Sequence, residues 1–249
     1  MRRVMLTVAY DGTNYHGWQL QPNVPTIESV LNENLSGLLN EEIRVIGASR
    51  TDTGVHALGN IAVFDTAARI PADKISYALN QRLPADIRIQ ESKEVPITFH
   101  PRHQASRKVY EYKILNKAFP MPIYRLYTHF TYVPLDVSQM QKAAARLTGE
   151  HDFKSFCSEH TTVETTVRTI YEITVEKSED IITIRVTGSG FLYNMVRIIA
   201  GTLIEAGKGR LAPESMSDIL SACDRAQAGP TAPACGLTLV KYMFCDING

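Results

Sequence analysis

Nothing in this chain supplies a disulfide framework, a long hydrophobic run or an excess of either charge. Its four cysteines, Cys157, Cys223, Cys235 and Cys245, all lie in the second half and include no C-x-x-C pair. That usage points to a reducing cytosol. No window approaches the ~18 continuous apolar residues of a membrane span. The basic-then-apolar start, Met1 to Leu6, breaks at Asp11-Gly12 before it reaches the length of a secretion signal. With 44% hydrophobic and 21% charged residues, a soluble, cytoplasmic globular protein with no membrane association is expected. A formal net charge of +0 argues weakly against nucleic acid as a partner, although a local basic stripe is compatible with it. Neither Gly188-Ser189-Gly190 nor Gly207-Lys208-Gly209 fits a phosphate-binding loop, and His151, Cys157 and His160 lack a fourth zinc partner. No metal, nucleotide or other cofactor is expected.

What the chain has instead is a repeated order of elements. Residues 2–10 read as a buried strand that Asp11-Gly12-Thr13-Asn14 breaks. Ile27, Val30, Leu31, Leu35, Leu38 and Leu39 recur at helical spacing behind a Pro25-Thr26 start. Strands at 43–47 and 58–64, a short helix at 71–80 and a strand at 87–89 follow. The second half runs from a strand at 108–115 to a helix capped by Asp136 and ending at Leu147. A hairpin of 167–175 and 181–186, helices at 191–205 and 213–223 and a strand at 237–242 complete it. Each half reads as a ferredoxin-like β-α-β-β-α-β unit. The predicted fold is α+β, with domains 1–104 and 105–249, antiparallel-rich sheets that join, and a catalytic cleft between the halves.

Candidate chemistry concentrates in Ser49-Arg50-Thr51-Asp52-Thr53-Gly54-Val55-His56-Ala57. Loops held by rigid strands are where catalytic residues collect. Asp52-Thr53-Gly54 matches the aspartic protease triplet, but that chemistry needs two carboxylates sharing a proton, and this chain has one copy. The plain alternative is a turn-capping aspartate beside Gly54. Arg50 tips the balance, because it favours an ionised Asp52 suited to nucleophilic attack or proton abstraction. His56 reads as a hydrogen-bonded structural group. Arg197 sits in the apolar run 191–200, where a guanidinium needs a partner. If Asn194, Arg197, Gly201 and Lys208 line a cleft, Arg197 is a natural ion-pair partner for Asp52 from the other half. Lys108, Tyr110 and Tyr112 share one strand face, either as half-buried sheet residues or as a platform for an unstacked base. Trp18 reads as core, and Arg102, Arg107, Lys108 and Arg168 as candidate phosphate contacts.

Six motifs in order carry a resemblance to a known family. They are Tyr10-Asp11-Gly12-Thr13 with Gly17-Trp18-Gln19; Arg50 to Ala57; Lys108-x-Tyr110-x-Tyr112; and His151-Asp152-Phe153-x-Ser155-Phe156. Gly190-Phe191-Leu192 through Met195-Val196-Arg197, and Ala232-Pro233 with Gly236-Leu237, complete the set. Together they resemble the tRNA pseudouridine synthase A family, with Ser49 and Thr53 standing where that family usually has glycine and alanine. The resemblance implies isomerisation of uridine to pseudouridine at nucleotides 38 to 40 of the tRNA anticodon stem-loop, without metal or cofactor, by a homodimer. It further implies Asp52 as catalytic carboxylate, Tyr110 packing against the target base, Arg197 pairing with Asp52, and Arg50 helping to hold the flipped nucleotide. The competing class is a non-catalytic RNA-binding module with the same cleft.

Overall fold

The computed structural model of the chain describes residues 1–158 and 163–245. The fold is α+β, in two compact units: Met1–Ala105 with the segment from Leu239 onward, and Ser106–Thr238. Among the described residues, no helix is long and apolar enough to cross a membrane.

The first unit runs β1 (Arg2–Tyr10), α1 (Ile27–Leu39), β2 (Ile46–Gly47), β3 (His56–Thr66), α2 (Ala72–Asn80) and β4 (Ile87–Val95). β1 lies between β3 and β4, antiparallel to both, and β2 pairs antiparallel with β3. Each helix therefore crosses between strands that are not neighbours, the split β-α-β arrangement expected from the sequence. Helix α1 begins where Thr26 and Ser29 cap one another: Thr26 Oγ1 accepts from Ser29 N at 3.2 Å, and Ser29 Oγ accepts from Thr26 N at 3.0 Å. Its buried stripe is Ile27, Leu31 and Leu35.

Strand β2 is shorter than the expected 43–47, for a local reason. The Ile43 N–H donates to Ser36 Oγ (2.9 Å) and the Val45 N–H to Asn32 Oδ1 (2.8 Å), so side chains of α1 take backbone donors that a strand partner would need. The last strand, β10 (Leu237–Phe244), runs beside β3, and from Leu239 it packs into this unit. There Tyr242 and Phe244 join Met5, Ala48, Ile61, Val63 and Phe99 in one apolar cluster, and the Tyr242 hydroxyl donates to Pro101 O at 3.1 Å.

The second unit contains β5 (Ser106–Asn116), β6 (His129–Thr131), α3 (Val137–Ala145), β7 (Gly149–Asp152), β8 (Val167–Ser178), β9 (Ile181–Gly188), α4 (Met195–Gly207) and α5 (Ser215–Ala222). Strands β5, β9, β8 and β7 are antiparallel neighbours in that order, and the short β6 pairs parallel with β5. Asp136 caps α3 through Gln139 N at 3.1 Å, as its position predicts. Helix α4 starts at Met195 rather than Phe191, because Asn194 is left-handed, with φ 60°. Of its thirteen residues, only Arg197 and Glu205 are not buried. A segment of extended chain lies directly on α4: a side chain at Gly201 would stand 1.7 Å from Pro230 O. Gly201→Ala is therefore expected to destabilise the protein by roughly 1–3 kcal/mol, the usual penalty for overpacking, read as a lower urea midpoint.

Candidate active site

The loop bearing Asp52 is held by groups of the first unit. Gly12 and Gly17 (φ 82°) let the 11–18 turn approach it at backbone distance; Cβ atoms there would stand 2.0 Å from Val55 O and 2.6 Å from Thr51 O. Trp18 N donates to Thr51 O at 3.0 Å and Gly54 N to Tyr15 O at 3.3 Å. Beneath the loop, Thr51 Oγ1 and the Tyr10 hydroxyl share a 2.7 Å hydrogen bond. Asn60, fully buried in β3, accepts from Ser49 N (3.3 Å) and donates to Ser49 O (3.0 Å). Burial is the main cause that pushes the Tyr10 hydroxyl well above its ordinary value, and the negative charge of Asp52 adds to it. Asp52 itself is partly exposed.

Around the loop, the expected roles separate. His56 is 4% exposed, and its Nδ1 lies 3.1 Å from Gly12 N and 3.1 Å from Asp11 Oδ1. The Gly12 N–H donates to Nδ1, which ties the ring to the 11–18 turn. Trp18 is 1% exposed and packs against Gly47 and Tyr10, which makes it core. Arg50 is exposed. Near it, Arg102 donates from Nε to Gly47 O at 2.8 Å; burial, then the charge of Arg50, lowers the Arg102 pKa, while Glu28 opposes them.

In the second unit, Tyr110 on β5 is 8% exposed and meets Phe191 edge-on, with ring centroids 5.3 Å apart at 87°. Tyr112 differs from a shared-platform reading. It is fully buried against Gly236, its hydroxyl donates to Pro233 O at 2.9 Å, and burial raises its pKa. Arg197, in the first turn of α4, donates from Nε to Ala232 O (2.8 Å) and from Nη1 to Asn194 Oδ1 (2.9 Å). The Ala232 N–H returns a bond to Arg197 O at 3.1 Å. These two acceptors, a backbone carbonyl and a side-chain amide oxygen, are both neutral and orient the guanidinium. Among the described residues no group of three or more His, Cys, Asp or Glu side chains is placed to hold a metal ion. His160, one member of the His151, Cys157 and His160 trio, lies outside the described residues.

A family model described as tRNA pseudouridine synthase matches residues 6–104 and 143–244. The chain belongs to the tRNA pseudouridine synthase family. It is an isomerase family. The chain is similar to the tRNA pseudouridine synthase A of Thermoanaerobacter sp. (strain X514), 49% identical over 98% of this chain and 100% of the relative. The tRNA pseudouridine synthase A of Ruminiclostridium cellulolyticum is 50% identical with the same coverage, and that of Brevibacillus brevis 46%. Among solved structures, the archaeal box H/ACA sRNP Nop10-Cbf5 complex matches with a TM-score of 0.34 and 14% identity, over 81% of this chain and 44% of that chain. That likeness is too slight to add to the family assignment.

Two supports of the Asp52 loop were not singled out in the sequence. Tyr10 was only a motif member, and nothing in its spacing marks its hydroxyl as the brace. Asn60 did carry a signal: it is a polar residue inside the apolar run of β3, where burial demands that both ends of an amide be satisfied. Asn60→Ala leaves Ser49 N and O without that partner and should lower stability by about 2–3 kcal/mol, with pseudouridine-forming activity falling further than stability does. Calorimetry beside an activity assay measures both.

Proposed function

We propose that this chain converts uridine to pseudouridine at nucleotides 38 to 40 of the tRNA anticodon stem-loop, with Asp52 as the catalytic carboxylate. The observation that carries the reading is the family match, which spans the Arg50-Thr51-Asp52 loop, together with the brace that fixes this loop. The reaction is an isomerisation. The bond from C1′ of the ribose to N1 of uracil breaks, the base turns, and C1′ rejoins at C5. The proton on C5 leaves, and N1 gains one. Extruding the uridine costs a few kcal/mol and needs a surface on which the base can rest.

Residue by residue, Tyr110 packs against the extruded base, in keeping with a ring held edge-on by Phe191. Tyr110 lies between the two matched segments, so its role rests on the Lys108-x-Tyr110-x-Tyr112 motif. Arg197 pairs with Asp52; a cation in the first turn of a helix sits at the positive end of the helix dipole, which favours an anionic partner. Arg50 helps to hold the flipped nucleotide, and its exposure beside Arg102 suits contact with a phosphate. The protein acts as a homodimer in the cytoplasm.

Loss of tritium from C5-labelled uracil in a tRNA transcript follows the reaction directly. Wild-type protein should release it, and pseudouridine should then separate chromatographically from uridine in the digested RNA. Unchanged RNA would favour the non-catalytic binder. Asp52→Asn should cut the rate on the order of a thousandfold or more, the scale of removing a reacting group, while tRNA binding stays within a few-fold. Near-normal turnover in that variant would remove Asp52 from the mechanism. Tyr110→Phe should retain most activity and Tyr110→Ala lose it; equal rates would rule out a packing role. Affinity for tRNA should fall steeply as salt rises.

A further inference from the structure

We infer that Asn194 is a positioning residue that sets the direction of the Arg197 guanidinium, and that Ser158 in turn sets the direction of the Asn194 amide. The inference rests on the proposed pairing of Arg197 with Asp52. Asn194 stands immediately before α4 in the left-handed conformation, φ 60°, a region where Asn and Asp are enriched. A residue in this place ordinarily turns its side chain onto the exposed N–H groups of the first turn. Asn194 makes no such bond. Its Oδ1 accepts from Arg197 Nη1 at 2.9 Å, and its Nδ2 donates to Ser158 Oγ at 2.8 Å.

The chemistry of the groups fixes which end of the amide faces which neighbour. A guanidinium has only donors, so the amide oxygen must face it. That leaves Nδ2 to donate, and the Ser158 hydroxyl supplies the acceptor. Ser158 is placed by its own N–H, which donates to Tyr193 O at 3.2 Å. A second fixed point of the guanidinium is Ala232 O on Nε. The segment bearing Ala232 lies on α4 because Gly201 has no side chain and because Gly229 N donates to Thr202 Oγ1 at 2.9 Å. These two bonds to the guanidinium come from separate elements, and Asn194 supplies the one on Nη1. Tyr112 and Cys235 are titratable groups near Arg197 among the described residues of its unit, and burial raises the pKa of both.

Three variants test this, with tritium release as the readout. Asn194→Gly fits the left-handed backbone and deletes the acceptor. Its kcat should fall roughly tenfold to a hundredfold, the equivalent of one hydrogen bond to a charged group, with KM for tRNA within twofold and an unchanged unfolding midpoint. Asn194→Asp keeps the acceptor but sets a competing carboxylate against Arg197. The Asp52 carboxylate then loses part of its stabilisation, and the acid limb of kcat/KM should move to higher pH by about one unit. Arg197→Lys separates the two layers of the argument. If it retains full activity, the pairing with Asp52 fails and takes this inference with it. If it is impaired while Asn194→Gly has a normal kcat, or Asn194→Asp an unmoved pH profile, the positioning role alone is overturned.

Discussion

Thr51 is fixed from two directions, and the placement of Asp52 follows from it. Its carbonyl takes the Trp18 N–H at 3.0 Å, and its hydroxyl shares a 2.7 Å bond with Tyr10, which sits at the end of the central strand of the first unit. The residue that follows therefore has little backbone freedom left. For the carboxylate proposed to react, a misplacement of about 1 Å can cost two orders of magnitude in rate, so bracing the neighbour also holds the group itself. The brace is also insensitive to pH near neutrality. Burial drives the Tyr10 hydroxyl upward, Thr51 and Asn60 pull it back less, and it stays a phenol. Any titration of activity must come from other groups.

The same logic, with opposite charge, governs Arg197. Its guanidinium is held by two neutral oxygens from different elements, Ala232 O and Asn194 Oδ1. Neither of these two acceptors is a carboxylate. Glu111 shows the contrast, taking ion pairs with Arg185 and Lys113 on the strand surface. The close packing that brings Ala232 to Arg197 depends on a glycine, Gly201, as the Asp52 loop depends on Gly12 and Gly17. In each case a missing Cβ admits backbone to backbone, and a side chain of the proposed site is set from the contact.

Much of this was legible in the chain. The apolar spacing of α1, the Asp136 cap and the β8–β9 hairpin follow local rules, and local structure obeys them. The errors fall where side chains replace backbone as hydrogen-bond partners. Residues 43–45 have strand composition, yet Asn32 and Ser36 on the neighbouring helix take two of the donors. Phe191 and Leu192 have helix composition, but the left-handed Asn194 delays the helix to Met195. Period-two alternation put Tyr112 beside Tyr110 correctly, but could not show that Gly236 closes over its ring. The strand β7, Gly149–Asp152, carries too few apolar residues to register as one. Asp52 and Arg50 stood out because a structural turn has no need of both.

Whole-chain neutrality carried less information than it promised. Acidic groups are drawn off in local pairs: Asp65 accepts both Nε and Nη2 of Arg3 at 2.7 Å, Asp180 takes Lys117, and Glu205 takes Lys208 and Arg210. Beside the Asp52 loop the balance is different. Arg102 has its pKa lowered by burial and then by Arg50, and His100, stacked on His103 at 3.9 Å, is lowered by burial, then His103, Arg102 and Arg3. Arg50 and Arg102 lie close enough for one to lower the pKa of the other, and that like-charge cost falls when a polyanion approaches. Net charge therefore says little about the partner, because two cations, Arg50 and Arg102, sit together beside the Asp52 loop of a formally neutral chain.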